Sequence, residues 1–256
     1  MKNLAIFFVL VFGAITGSFL NVVILRYNTG RSVVIGRSSC FSCSKELSWY
    51  NLVPVFSFLA QKGKCSACLS RISWQYLTVE LLTAVSFVLL YIKLGFTFDL
   101  LFYSLVFSIL IVISFYDFRH KIIPDIFAYL LAVLAFLRLV YIYLSISPEV
   151  ARSSFMAGIG MFLFLGSLWL FSGGRWMGLG DAKLILGLGW LNTVCYAVTS
   201  LVYSFWLGAV VGILINLLFK RTREIPFAPF LISGFIIVFF YDSNLFSYLG
   251  EVSCVK

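Results

Sequence analysis

A chain of 256 residues that is 62% hydrophobic and only 11% charged, with a mean hydropathy of +1.04, is no ordinary soluble domain, which carries about a quarter charged residues. Its net charge of +9 does not point to nucleic acid, because the basic residues stand in short loops beside apolar runs and not along one soluble face. The bilayer is the expected solvent, with anionic lipid and the membrane potential as the partners of the basic loops.

The first element is an apolar run from Leu4 to Leu25, preceded by Lys2 and Asn3. It is longer than the core of a usual signal peptide and lacks a convincing small-residue cleavage site, so it reads as a retained first span. Residues 26–75 follow as the only sizeable polar segment, holding Arg26, Arg31, Arg37, Lys45, Lys62, Lys64 and Arg71. Two CxxC pairs lie within it, Cys40 with Cys43 and Cys65 with Cys68, separated by 21 residues. Each pair lets two thiolates converge from one tight turn, and two such turns close a tetrahedral sulfur cage, the pattern of a structural zinc ribbon. Disulfides are the alternative, and they require an oxidising compartment. Too small to build a core of its own, the segment would draw much of its folding free energy from the metal.

Further spans are expected at Tyr76 to Ile92, Leu100 to Tyr116, Ile126 to Ile146, Phe155 to Phe171 and Phe227 to Leu249. The stretch from Ala182 to Phe219 would make a helix of about 57 Å, too long for one crossing, and Leu191, Asn192 and Thr193 offer a break. The fold class is therefore an all-α polytopic membrane protein of about eight transmembrane helices, with a small cytoplasmic zinc-ribbon-like insertion after the first. The expected domains are residues 1–25, the first transmembrane helix; 26–75, the cysteine-rich segment; and 76–256, the polytopic membrane domain. With the N-terminus outside, fourteen of the 19 basic residues fall inside, including the run Lys220, Arg221 and Arg223, which a seven-span chain would push across the membrane. Cys195 and Cys254 fall near the outer face and read as small apolar residues.

Among ten acidic residues, Asp117 ends the third span and Asp181 follows Gly178-Leu179-Gly180 at the start of the sixth, so both arrive at the cytoplasmic side. Two carboxyls brought together share a proton, one deprotonating a water while the other stays protonated. Gly178 and Gly180 would let backbone come close to such a pair. The alternative makes Asp117 an interfacial residue and Asp181 an N-cap. Asp125, after Pro124, reads as the cap of the fourth span, and His120 as a residue in solvent or on a lipid phosphate. Glu80, near the cytoplasmic end of the second span, is either a recognition residue or an interfacial structural one.

Several segments together resemble the type IV prepilin peptidases, a family of GxGD aspartyl proteases. They are Gly17-Ser18-Phe19-Leu20-Asn21-Val22-Val23-Ile24 with Arg26; the two CxxC pairs; Leu52-Val53-Pro54-Val55-Phe56-Ser57 running into Gly63-Lys64-Cys65; Asp117 followed by Pro124-Asp125; Gly178-Leu179-Gly180-Asp181 with Lys183; and Ile225-Pro226-Phe227-Ala228-Pro229-Phe230. Phe41 and Gly36 stand where the family usually has proline, and Ala228 where it has glycine. The resemblance implies a bacterial inner-membrane peptidase with Asp117 and Asp181 as its catalytic pair. It would remove a short basic leader from prepilins and pseudopilins, cutting after a glycine. It implies also, for members with the cysteine domain, methylation of the new N-terminal residue by S-adenosylmethionine. A peptidase without methylation and, from another class, a transporter with intramembrane acids are the alternatives.

Overall fold

The computed structural model describes residues 2–219 and 225–241, and among them the chain is helical, with two isolated antiparallel bridges and no strand. It divides into two compact units, Met1–Val112 and Ile113–Lys256.

In the first unit, α1 (Lys2–Arg26) and α3 (Trp74–Leu94) are long apolar helices that pack on each other. Ser73 starts α3 by accepting the Gln75 N–H at 3.2 Å, and Gly95 ends it at φ 67°, which a side chain would resist. Small residues set how closely the pair approaches. A Cβ at Gly13 would lie 2.8 Å from Ala84 Cα, and one at Gly17 would lie 2.7 Å from Glu80 Cα. Lipid is as apolar as any side chain, so such close backbone packing is what drives membrane helices together. Gly17→Ala is therefore expected to destabilise the protein by about 1–3 kcal/mol, read as a lower thermal midpoint in detergent. An unchanged midpoint would show that α1 packs otherwise.

Between α1 and α3 the chain holds the cysteine segment, a 3-10 turn at Trp49–Leu52 and the short α2 (Phe56–Ala60). Phe58 is buried there, and its ring packs 5.2 Å from that of Trp74. Val55, just before α2, has φ 64°, a conformation β-branched residues avoid.

α4 (Phe98–His120) runs from the first unit into the second. The second unit continues with α5 (Asp125–Ser145), α6 (Pro148–Ser172), α7 (Leu179–Trp190), α8 (Val194–Phe219) and α9 (Ala228–Tyr241). The expected break at Leu191 to Thr193 is present. α6 begins seven residues before the expected Phe155, because Ser147 accepts the Val150 N–H, Pro148 opens the first turn and Glu149 favours the helix N-terminus. The end of the expected last span, Phe227 to Leu249, lies outside the described residues, as do Lys220, Arg221 and Arg223.

Among the described residues six helices are long and apolar enough to cross a membrane, α1, α3, α4, α5, α6 and α8, and α9 is a shorter apolar one. α7 is different. Its 12 residues span about 18 Å, short of the roughly 30 Å hydrocarbon core. It is wedged between neighbours by glycine: a Cβ at Gly187 would meet Leu131 Cγ of α5 at 2.9 Å, and one at Gly189 would meet Gly158 Cα of α6 at 2.6 Å. A helix clasped this tightly holds whatever its first turn carries in a fixed place.

Candidate functional site

Two groups of chemically capable side chains stand out, one in each unit. In the first unit, the chain turns sharply at each CxxC pair, and both turns repeat one hydrogen-bond pattern. Cys40 N–H donates to Lys45 O at 3.0 Å and Ser44 N–H to Cys40 O at 2.9 Å, while Cys65 N–H donates to Ser70 O at 2.8 Å and Leu69 N–H to Cys65 O at 3.0 Å. Ser44 and Leu69, each just after the second cysteine of its pair, take left-handed backbone at φ 56° and 59°.

These turns bring the sulfurs of Cys40, Cys43, Cys65 and Cys68 within 4.8 Å of one another. All four cysteines are free. The Cys40 and Cys68 sulfurs are 3.8 Å apart, close to the edge of a tetrahedron with metal–sulfur bonds of about 2.3 Å and far from a disulfide bond. The four could hold a metal ion. Cys40 is prepared for it, since the backbone N–H groups of Cys43 and Ser42 and the Ser70 hydroxyl stabilise its thiolate and bring the thiol down to about 6.

In the second unit, Asp117 lies in the last turn of α4 and is 4% exposed, and Asp181 lies in the first turn of α7 and is 8% exposed. The N-cap of α7 is Gly178, so Asp181 is inside the helix and does not cap it. The two carboxyls are near enough for the charge of Asp117 to act on Asp181. Asp117 Oδ2 accepts the backbone N–H of Ala228 at 3.2 Å. Ala228 opens α9, so the positive end of that helix faces the carboxylate. Gly180 fits against the loop after α4, where a Cβ would lie 3.0 Å from Ile123 Cβ. Gly178 faces Asp181, its Cβ position 3.5 Å from Oδ2.

Asp125, expected as a cap, is the first residue of α5 and makes no capping bond. It pairs instead with Lys183 Nζ at 2.7 Å, and that ammonium sits 5.2 Å over the Tyr129 ring. The pair ties the start of α5 to the turn carrying Asp181, and the sequence signal for it was the lysine two residues after that aspartate. His120 is exposed and stacks on Tyr116, ring centroids 4.4 Å apart. Cys195, read as a small apolar residue, is disulfide-bonded, which overturns that reading; Cys254 lies outside the described residues.

Buried paired acids at helix ends in one unit of a multi-pass helical protein, and in the other unit a four-cysteine cluster able to hold a metal ion, define the class of membrane acid-site protein that carries a cysteine knuckle. Family models place it further: residues 11–94 match the Bacterial Peptidase A24 N-terminal domain and residues 104–213 the Type IV leader peptidase family. The chain belongs to the type IV leader peptidase family. It is 35% identical over 247 residues to a prepilin leader peptidase/N-methyltransferase of Bacillus subtilis, covering 93% of this chain and 95% of that one. Proteins of the same description from Vibrio cholerae and Pseudomonas aeruginosa are 31% and 30% identical, covering 88% and 93% of this chain and 92% and 91% of theirs. No solved structure matches it.

Proposed function

We propose that this chain is a membrane aspartyl endopeptidase that removes the leader of type IV prepilins and pseudopilins after a glycine, at the cytoplasmic face of the bacterial inner membrane, and methylates the new N-terminal residue. Asp117 and Asp181 are its catalytic pair. The observation that carries this reading is that, in a leader peptidase family member, two acids from separate helices are buried in one unit within electrostatic reach of each other. Such a pair holds one proton between two carboxyls. The ionised one removes a proton from water as its oxygen attacks the scissile carbonyl, and the protonated one donates to the carbonyl oxygen. Collapse of the tetrahedral species then breaks the C–N bond, the amine leaving with a proton. The α9 N-terminus and the Ala228 N–H keep Asp117 in place without supplying a proton acceptor of their own.

The four cysteines are a structural zinc site. Four thiolates suit a soft tetrahedral ion and leave no open coordination position, so the metal's contribution is to the fold. S-adenosylmethionine would supply the methyl group. Among the described residues there is no strand, hence no strand-turn-helix glycine cradle of the familiar nucleotide type, and no residue is assigned to the methyl donor. Methylation is supported by the resemblance and by the names of the relatives.

Purified protein in detergent, given synthetic prepilin peptides and S-adenosylmethionine, is expected to yield a mature peptide cut after the glycine and carrying one methyl group by mass spectrometry. A cut, unmethylated product leaves the peptidase alone; no cut at all sinks the reading.

A further inference from the structure

The first unit contains a buried acid for which neither the catalysis nor the metal site has a use. Glu80, on α3, is 6% exposed, and among the described residues it has no cationic partner. Its Oε2 accepts the Val55 N–H at 2.7 Å, so one lone pair serves to hold the strained turn before α2. A carboxylate has about four lone-pair sites, and this latch uses one.

A second buried polar group lies one helical turn away. Asn21, on α1, is fully buried, and its Nδ2 donates to Tyr76 O at 3.0 Å and, more weakly, to Gly17 O at 3.4 Å. Both partners are carbonyls, which fixes the orientation of the amide, and its Oδ1 is then left with no hydrogen-bond partner. Gly17 packs on Glu80 and Asn21 on Tyr76, so Asn21 stands one helical turn from Glu80 on the facing helices. Side chains on a helix lean toward its N-terminus, which carries the Glu80 carboxyl toward the level of Tyr76 and hence of Asn21. Ser18, beside Gly17 on α1, lies near the Glu80 carboxyl.

The result is an acceptor-rich spot with spare capacity: a buried carboxylate with no counter-ion, an orphaned amide oxygen and a hydroxyl. Leaving the amide oxygen unmet costs about 1–3 kcal/mol, and a buried carboxylate without a counter-ion costs more. The group that satisfies all three at once is a compact cation with three donors, a primary ammonium; a guanidinium is planar and larger. We propose that Glu80, Asn21 and Ser18 form a binding site for a primary ammonium of the peptide substrate, supplied either by a leader lysine or by the free α-amino group of the cleaved pilin.

The proposal rests on the leader-peptidase reading, and Glu80→Gln tests it. Glutamine keeps an acceptor for Val55 N–H, so the structural latch survives while the charge is lost. With full-length protein in detergent, Glu80→Gln is expected to raise KM about tenfold for a peptide with a leader lysine, in line with a charge-assisted hydrogen bond. It should leave kcat unchanged, and it should have no effect on the same peptide with that lysine replaced by glutamine. If the α-amino group is the ligand, cleavage is unaffected and methylation falls about tenfold instead. Equal losses for both peptides without a separate methylation defect, or no loss in either step, overturns the proposal.

Should Glu80→Gln fail to accumulate, wild-type protein serves. It is expected to bind a lysine leader peptide about tenfold more tightly than the glutamine version, or a mature pilin peptide about tenfold more tightly than its N-acetylated form. Lack of both preferences overturns the site. Failure of the wild type to cut any prepilin peptide would instead count against the function, and the binding comparison would still judge the ammonium site.

Discussion

Replacing Asp117 or Asp181 by asparagine is expected to slow leader cleavage by about 10²–10⁴-fold, with the protein still accumulating in the membrane. Asparagine is nearly isosteric and keeps an oxygen for the Ala228 N–H, so the loss cannot be laid to a displaced α9. What disappears is the ability to hold and exchange a proton. Because the two carboxyls act as one unit, the double variant should be scarcely slower than either single one. The measurement is single-turnover cleavage of a prepilin peptide by purified variants, with membrane content checked by immunoblot. Processing at the wild-type rate by either asparagine variant would return that aspartate to an interfacial helix-end role.

Changing Cys40, Cys43, Cys65 and Cys68 together to serine is expected to empty the metal site and unfold the segment between α1 and α3. A structural zinc site contributes about 10–16 kcal/mol of apparent binding free energy, and around it the segment has little else, with Phe58 and Cys65 its buried apolar residues. Elemental analysis should find about one zinc per wild-type chain and none in the variant, and limited proteolysis should cut the variant between Arg26 and Trp74 far sooner. Metal retention depends on pH. The Cys40 thiol is lowered to about 6, so its thiolate is present at neutral pH and is lost as pH falls through that value. Protons compete with the metal for all four thiolates, so zinc should be released progressively as pH falls. A segment that resists protease equally with and without its cysteines would mean that packing, not metal, holds it.

Much of this architecture is legible from residues alone, and for physical reasons. A run such as Leu4 to Leu25 can satisfy its backbone in lipid only as a helix, so its presence fixes the element. Asn192 and Thr193 interrupt a stretch too long for one crossing, and the break falls there. The CxxC spacing encodes a local turn, which is why the convergence of four sulfurs could be expected from sequence.

Other features depend on pairings that no local pattern encodes. Lys183 and Asp125 meet across 58 residues of chain. The N–H that Asp117 accepts belongs to Ala228, a residue whose side chain plays no part in the bond. The early start of α6 was hidden because Pro148, Glu149 and Arg152 dilute its first turns with polarity, while the Ser147 cap and N-terminal proline that define it carry little hydropathy. Asn21 reads as one letter of a family motif, and only its unmet oxygen, one helical turn from Glu80, gives it a separate meaning.

The disulfide at Cys195 also bears on how the protein can be made. Cys195 is the second residue of α8, just past the C-terminal end of α7, whose first turn carries Asp181. A lasting disulfide needs an oxidising medium, and four thiolates on a metal need a reducing one. A cell-free reaction poised at one potential meets only one of these needs: under thiol the cage loads and Cys195 stays reduced, and under oxidant Cys195 is joined while the cage thiols are at risk of pairing. Loading the metal under thiol before the oxidant is added should satisfy both, and the yield of chains carrying metal together with an oxidised Cys195 should exceed that of either single condition.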